Sequence, residues 1–165
     1  MSRALTVRPK RGDPRGALRA IEGREEFLSF LLGGETYAVP VSRVKEILKP
    51  PPVTEVPRGP DDLVGIVAIR GQVLPVRDLR RRLRLPARPT TRRSRILVVE
   101  QDGEPLGLFV DEVREVVRLL PGEIEATPSI VPGLEADAIV GVARPDGQMI
   151  VLLGLDGVLR EEAGA

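Results

Sequence analysis

Cysteine, histidine and tryptophan are all absent from the 165 residues, and each absence removes a class of chemistry. Without cysteine there is no disulfide, thiolate nucleophile or thiolate metal site. Without histidine there is no imidazole base and none of the usual zinc ligand sets. A nucleophile would then have to be Ser or Thr beside Lys, or the work would fall to paired carboxylates. The lysines are Lys10, Lys45 and Lys49, none near a GxSxG elbow. The adjacent acids Asp111-Glu112 and Glu161-Glu162 read as solvated faces. The chain is therefore not expected to be an enzyme: it offers no catalytic residues, no metal site and no cofactor site. Gly65-x5-Gly71 lacks the Lys-Ser/Thr of a phosphate loop. Long apolar runs are missing too, none reaching the roughly 18 residues of a membrane span. Charges occupy the N-terminal stretch where a signal peptide would be apolar. The sequence reads as a cytoplasmic protein with no direct membrane insertion.

Aromatics are scarce, namely Phe27, Phe30, Tyr37 and Phe109, so the core must be built from Val, Leu and Ile. Turn formers are abundant instead, with 17 Gly and 16 Pro, which favours many short strands over long helices.

The chain also repeats itself. GETYAVPVSRVKEIL from Gly34 returns as GEPLGLFVDEVREVV from Gly103, with five of fifteen positions identical, including Val44 with Val113 and Glu46 with Glu115. Further on, Gly65 to Gln72 lies over Gly141 to Gln148. A unit of roughly 65 residues is used twice. The first copy predicts a strand at 27–32, a turn at Gly33-Gly34 and a strand at 36–41. One turn and a strand over 42–48 follow, then a short strand at 53–56. Strands at 63–69 and 72–76 join through Arg70-Gly71, where Gly71 supplies the turn. Asp78 caps a short helix, 79–85. The second copy predicts strands at 96–100 and 106–110, a segment at 111–117 that repeats 42–48, strands near 138–143 and 148–153, and a helix at 155–160. The expected organisation is all-β: a disordered basic tail at 1–24, then a domain at 25–165. In it two tandem five-stranded barrels with short helices occupy about 27–86 and 96–160, joined by a basic linker at 87–95.

Charge is uneven although the net is +1. Residues 1–24 hold seven basic and two acidic side chains, and residues 80–95 hold eight Arg and no acid. The Arg-rich segment 80–95 leaves open an alternative, a small-barrel nucleic-acid-binding protein. Such binding ordinarily uses aromatic platforms, and the segment has none, so nucleic acid is not the expected partner. A solubilising linker is the plainer reading, its helix showing arginine outward over Leu79, Leu83 and Leu85. Glu46 and Arg70 are charges among apolar neighbours, best tolerated as a pair. The position matching Arg70 in the second copy is Asp146, so no equivalent pair with Glu115 can form.

FLSFLLGGETYAVPVSRVKEI, Val56-Pro57, GIVAIRGQVLPVRDLR, GLFVDEVREV and IVLLGLDGVL, in this order across residues 27–160, resemble the CheW-like chemotaxis coupling family. The resemblance implies two five-stranded SH3-like barrels and a scaffold in two-component signal transduction. Its implied partners are the cytoplasmic tip of methyl-accepting chemoreceptors and the regulatory domain of a CheA-type histidine kinase, with recruitment to receptor arrays. It implies receptor binding between the barrels at Val44, Glu46, Gly65, Arg70, Val113 and Val116, and kinase contact on an outer barrel face. Where the family has Asn-Leu-Arg-Gly this chain has Ala68-Ile69-Arg70-Gly71, which removes an amide that can brace the turn.

Overall fold

The computed structural model describes residues 23–126 and 138–160. The expected tail lies outside the described residues except for Gly23 and Arg24, as do 127–137 and 161–165. Ten strands run in chain order: β1 Glu25–Leu32, β2 Glu35–Pro40, β3 Val44–Leu48, β4 Leu63–Ile69, β5 Gln72–Asp78, β6 Arg95–Gln101, β7 Glu104–Val110, β8 Glu112–Leu119, β9 Ile139–Ala143 and β10 Ile150–Leu153. Two short helices follow the last strand of each repeat, α1 Leu79–Arg82 and α2 Leu155–Leu159. A 3-10 turn at Val41–Arg43 follows β2, as the sequence predicted for this stretch. The segment at 53–56 makes only an isolated bridge, Thr54 to Ile66, in place of the predicted strand.

The strands form two five-stranded sheets, ordered β8-β1-β2-β10-β9 and β3-β6-β7-β5-β4. Each is closed by one isolated bridge from the segment after its edge strand, Glu125 to Val142 in the first and Thr54 to Ile66 in the second. We call the closed sheets barrel A and barrel B. All-β architecture with two five-stranded units and short helices is what the sequence predicts, but the units do not follow the repeat. The chain crosses from A to B at the 3-10 turn after β2 and returns at Asp111 after β7. Barrel B is thus continuous over 44–110, while barrel A combines β1 and β2 with β8, β9 and β10. The division at 27–86 and 96–160 is corrected accordingly. β3 and β8 each pair with the first strand of the opposite copy, β6 and β1.

This exchange explains the unbroken apolar runs. In β1, Phe27 faces the interior of barrel A with Ala38, Leu119 and Leu152. Leu28, Phe30 and Leu32 face the other way, into a core shared with Leu97, Val99 and Leu108 of barrel B and with Leu79, Leu155 and Val158 of the helices. Strands buried on both faces lose the polar half of the usual alternation. Phe30 and Tyr37 stack in that shared core, ring centroids 6.4 Å apart. Burial and a hydrogen bond from its hydroxyl to Glu35 Oε2 (3.1 Å) push the Tyr37 phenol up to about 12.

Candidate functional site

The six residues that the resemblance points to fall in three places. Val44 of β3 and Val113 and Val116 of β8 are half-buried and pack against the shared core between the barrels, together with Val41 and Ile47. They come from the two exchanged strands, and their strand partners are repeat-related as well: Val44 lies opposite Val99, Val113 opposite Phe30 and Val116 opposite Leu28. Two strands of like sequence thus border one apolar seam, which can take an apolar partner surface but has no group able to do chemistry.

Glu46 and Arg70 sit elsewhere, at the mouth of barrel B, and they do pair: Arg70 Nη2 donates to Glu46 Oε1. A bulge between Val44 and Glu46 turns Glu46 opposite Val98, on the barrel-interior face. Its side chain is 16% exposed against 66% for Arg70, so the guanidinium lies over the carboxylate as a lid. Beneath them a cavity of about 80 Å³ is lined by Leu48, Leu74 and Val98. Arg70 and Gly71 have φ of 51° and 76°, making a two-residue hairpin with both central residues left-handed. The turn whose Asn is missing is therefore held by the ion pair and by Gly71, while Ala68 stands exposed on the outer face.

Gly65 belongs to neither place. A Cβ there would collide with the carbonyl oxygen of Thr54 and with Val53, where the bridge to Ile66 closes barrel B. Gly141 does the same for barrel A against Glu125. Its need for glycine is met by close backbone approach.

The Arg-rich segment shows Arg81, Arg84, Arg88, Arg92 and Arg93 outward over Leu79, Leu83 and Leu85, as the sequence predicts, and the correction is confined to Arg80, which is buried, and Arg82, which is half-buried. Arg80 is buried and grips Asp111 with two nitrogens, Nε at 2.6 Å from Oδ1 and Nη2 on Oδ2. Asp111 also accepts the Gly33 amide (2.9 Å), and Arg80 Nη1 reaches the Pro86 carbonyl (3.3 Å). Helix α1, the crossover into β8 and the β1–β2 turn are tied at one point. Arg82 donates to the carbonyls of Val158 and Arg160 at the end of α2, and Arg81 to that of Asp61 (3.2 Å). Arg80 and Arg82, engaged in this way, are withdrawn from a polyanion. Asp78 caps α1 by accepting the Arg80 amide (2.9 Å), as predicted, and burial raises its carboxyl above the usual range.

Sequence reading missed the Arg80–Asp111 pair, though the two copies carried a signal. The repeat partner of Arg80 is Asp156, and Asp156 pairs with Arg43 of the other crossover (2.9 Å). Arg43 holds the Asp156 carboxyl below its ordinary range. Each helix is fastened to the opposite crossover with the polarity of charge reversed.

Among the described residues no group of His, Cys, Asp and Glu could hold a metal ion, and no helix is long and apolar enough to cross a membrane.

Comparison with known proteins gives the lineage of this arrangement. The family model for the CheW-like domain matches residues 26–163. The chain is 33% identical over 140 residues to the chemotaxis protein CheW of Rhizobium meliloti, covering 85% of this chain and 90% of that protein. It is 31% identical over 143 residues to that of Bacillus subtilis, covering 87% and 92%. The crystal structure of the scaffolding protein TtCheW from Thermoanaerobacter tengcongensis superposes with a TM-score of 0.75 at 31% identity, over 84% of this chain and 94% of that one. With its exchanged barrels, apolar seam and matching sequence, the chain belongs to the CheW-like family.

Proposed function

We propose that the protein is a non-catalytic coupling scaffold of the cytoplasm, holding the cytoplasmic tip of a chemoreceptor and the regulatory domain of a CheA-type histidine kinase in fixed relation. The observation that supports this most is the seam. Val44, Val113 and Val116 stand half-buried on a shared core between two barrels, a surface suited to the apolar face of a helical hairpin. Holding both partners at once raises their effective concentration for each other. Gly65 keeps the second barrel closed, and Arg70 with Glu46 shapes the mouth beside the seam.

Co-elution on size exclusion with the regulatory domain of a CheA-type kinase, at low and at high salt, tests the reading. A stable, salt-tolerant complex is the expected result, and no complex at either salt would remove it. Receptor contact is tested separately: Val116→Arg should weaken binding of a receptor-tip fragment about tenfold or more while leaving the kinase complex intact. Equal loss of both complexes would place the seam outside receptor recognition.

A further inference from the structure

The two barrel mouths are built from corresponding residues but finished differently. Around them Glu115 answers Glu46, Gln148 answers Gln72 and Ile150 answers Leu74. In barrel B the Arg70 guanidinium covers Glu46 and leaves about 80 Å³. In barrel A the turn carries Asp146 where Arg70 would be, and the mouth stands open at about 380 Å³. Its neighbouring acid Glu112 is engaged by Arg114 (3.5 Å) and Arg93 (3.6 Å). The Glu115 backbone is fixed by Ser29, whose Oγ donates to its carbonyl (2.7 Å) and accepts from its amide (3.1 Å). The Glu115 carboxylate itself has no hydrogen-bond or ion-pair partner among the described residues.

We infer that the mouth of barrel A is a socket for an arginine side chain of a protein partner, which takes in trans the place Arg70 takes in cis at barrel B. The occupant is specified by the chain's own example: a guanidinium on a tight turn meeting one carboxylate, here beside Val113 and Ile150 and past Arg114, which also lines this mouth and is drawn toward Glu112. Arginine fits better than lysine because its planar fork can engage Glu115 and the neighbouring polar rim of Thr36 and Gln148 together. This inference is independent of which proteins the scaffold couples.

A backbone-cyclised peptide copying Ile66–Leu74 presents Arg70 on its turn and serves as the probe, with citrulline at that position as the neutral control. Titrated into the full chain and followed by amide NMR, the arginine peptide should give saturable shifts at Thr36, Glu115 and Gln148. The citrulline peptide should bind about fivefold or more weakly. Glu115→Gln should abolish the difference between the two. Asp146→Arg, which supplies a guanidinium in cis, should block the site. No saturable shift at this mouth, affinity indifferent to citrulline, or undiminished binding to the Asp146→Arg protein would each overturn the assignment.

Discussion

A guanidinium taken out of water must keep its carboxylate, whereas one left at the surface can lose it at small cost. Arg80 and Arg43 are that contrast within one molecule, since both fasten a crossover to a helix. With side chains 7% and 19% exposed, Arg80 and Asp111 are desolvated together. Arg80→Ala is expected to destabilise the fold by about 3–5 kcal/mol because it strands Asp111. Replacing both partners by Met and Leu should restore most of that loss, and urea denaturation measures each variant. Arg43→Ala removes a pair whose Asp156 is 72% exposed, so it should shift stability by less than about 1 kcal/mol. A single buried group also sets an alkaline limit. Tyr37 is the chain's one tyrosine and there is no tryptophan, so phenolate absorbance reports it alone. Its proton is held more tightly in the folded state, up to about 12 against the ordinary 10.0, by burial first and then by Glu35. The associated stability is whole below pH 10 and is lost as pH rises through 12. Spectrophotometric titration should therefore show Tyr37 ionising near 12, together with unfolding, and ionisation near 10 in a folded protein would contradict the burial.

At the scale of elements, closure of each barrel rests on one backbone-to-backbone approach. Gly65→Ala and Gly141→Ala put a methyl group against the carbonyls of Thr54 and Glu125. Each should cost about 1–3 kcal/mol or more, as overpacking does. Hydrogen exchange locates the damage: the Ile66 amide, bonded to Thr54 (2.8 Å), should lose protection in the first variant, and the Val142 amide, bonded to Glu125 (2.8 Å), in the second. Equal loss at both bridges would mean global unfolding and not local opening. What the sequence shows of these elements follows from periodicity and turn chemistry. Strand and turn positions were readable from Gly33-Gly34, Arg70-Gly71 and the alternation around them, and Asp78 announced its helix by its capping side chain. The Glu46–Arg70 pair was readable as two charges in apolar company. Gly65 is assigned to receptor binding by resemblance alone, and its need for close approach is invisible until Thr54 is known to lie against it. Arg80 read as solvated because nothing in a run of arginines marks the one that faces inward.

Strand exchange between the copies is the property that neither local pattern nor repeat could show, since pairing partners far apart in sequence decide it. Its consequence concerns the whole molecule. If each repeat formed its own barrel, a cut in the basic linker would yield two units, each with a complete sheet. With exchange, residues 1–88 keep β1 and β2 without β8, and β3, β4 and β5 without β6 and β7. Neither fragment then holds a closed sheet, and both expose the shared core of Leu28, Phe30, Leu97 and Leu108. Small units of this size lack the burial to fold when half of their pairing is absent. Fragments 1–88 and 89–165 should therefore each be unfolded alone by circular dichroism and should recover the native spectrum when mixed one to one. The intact chain should unfold in a single transition, because the barrels share strands' neighbours and a core. Two fragments that each fold unaided would show that the copies are independent barrels, and the seam between exchanged strands would lose its basis as a binding surface.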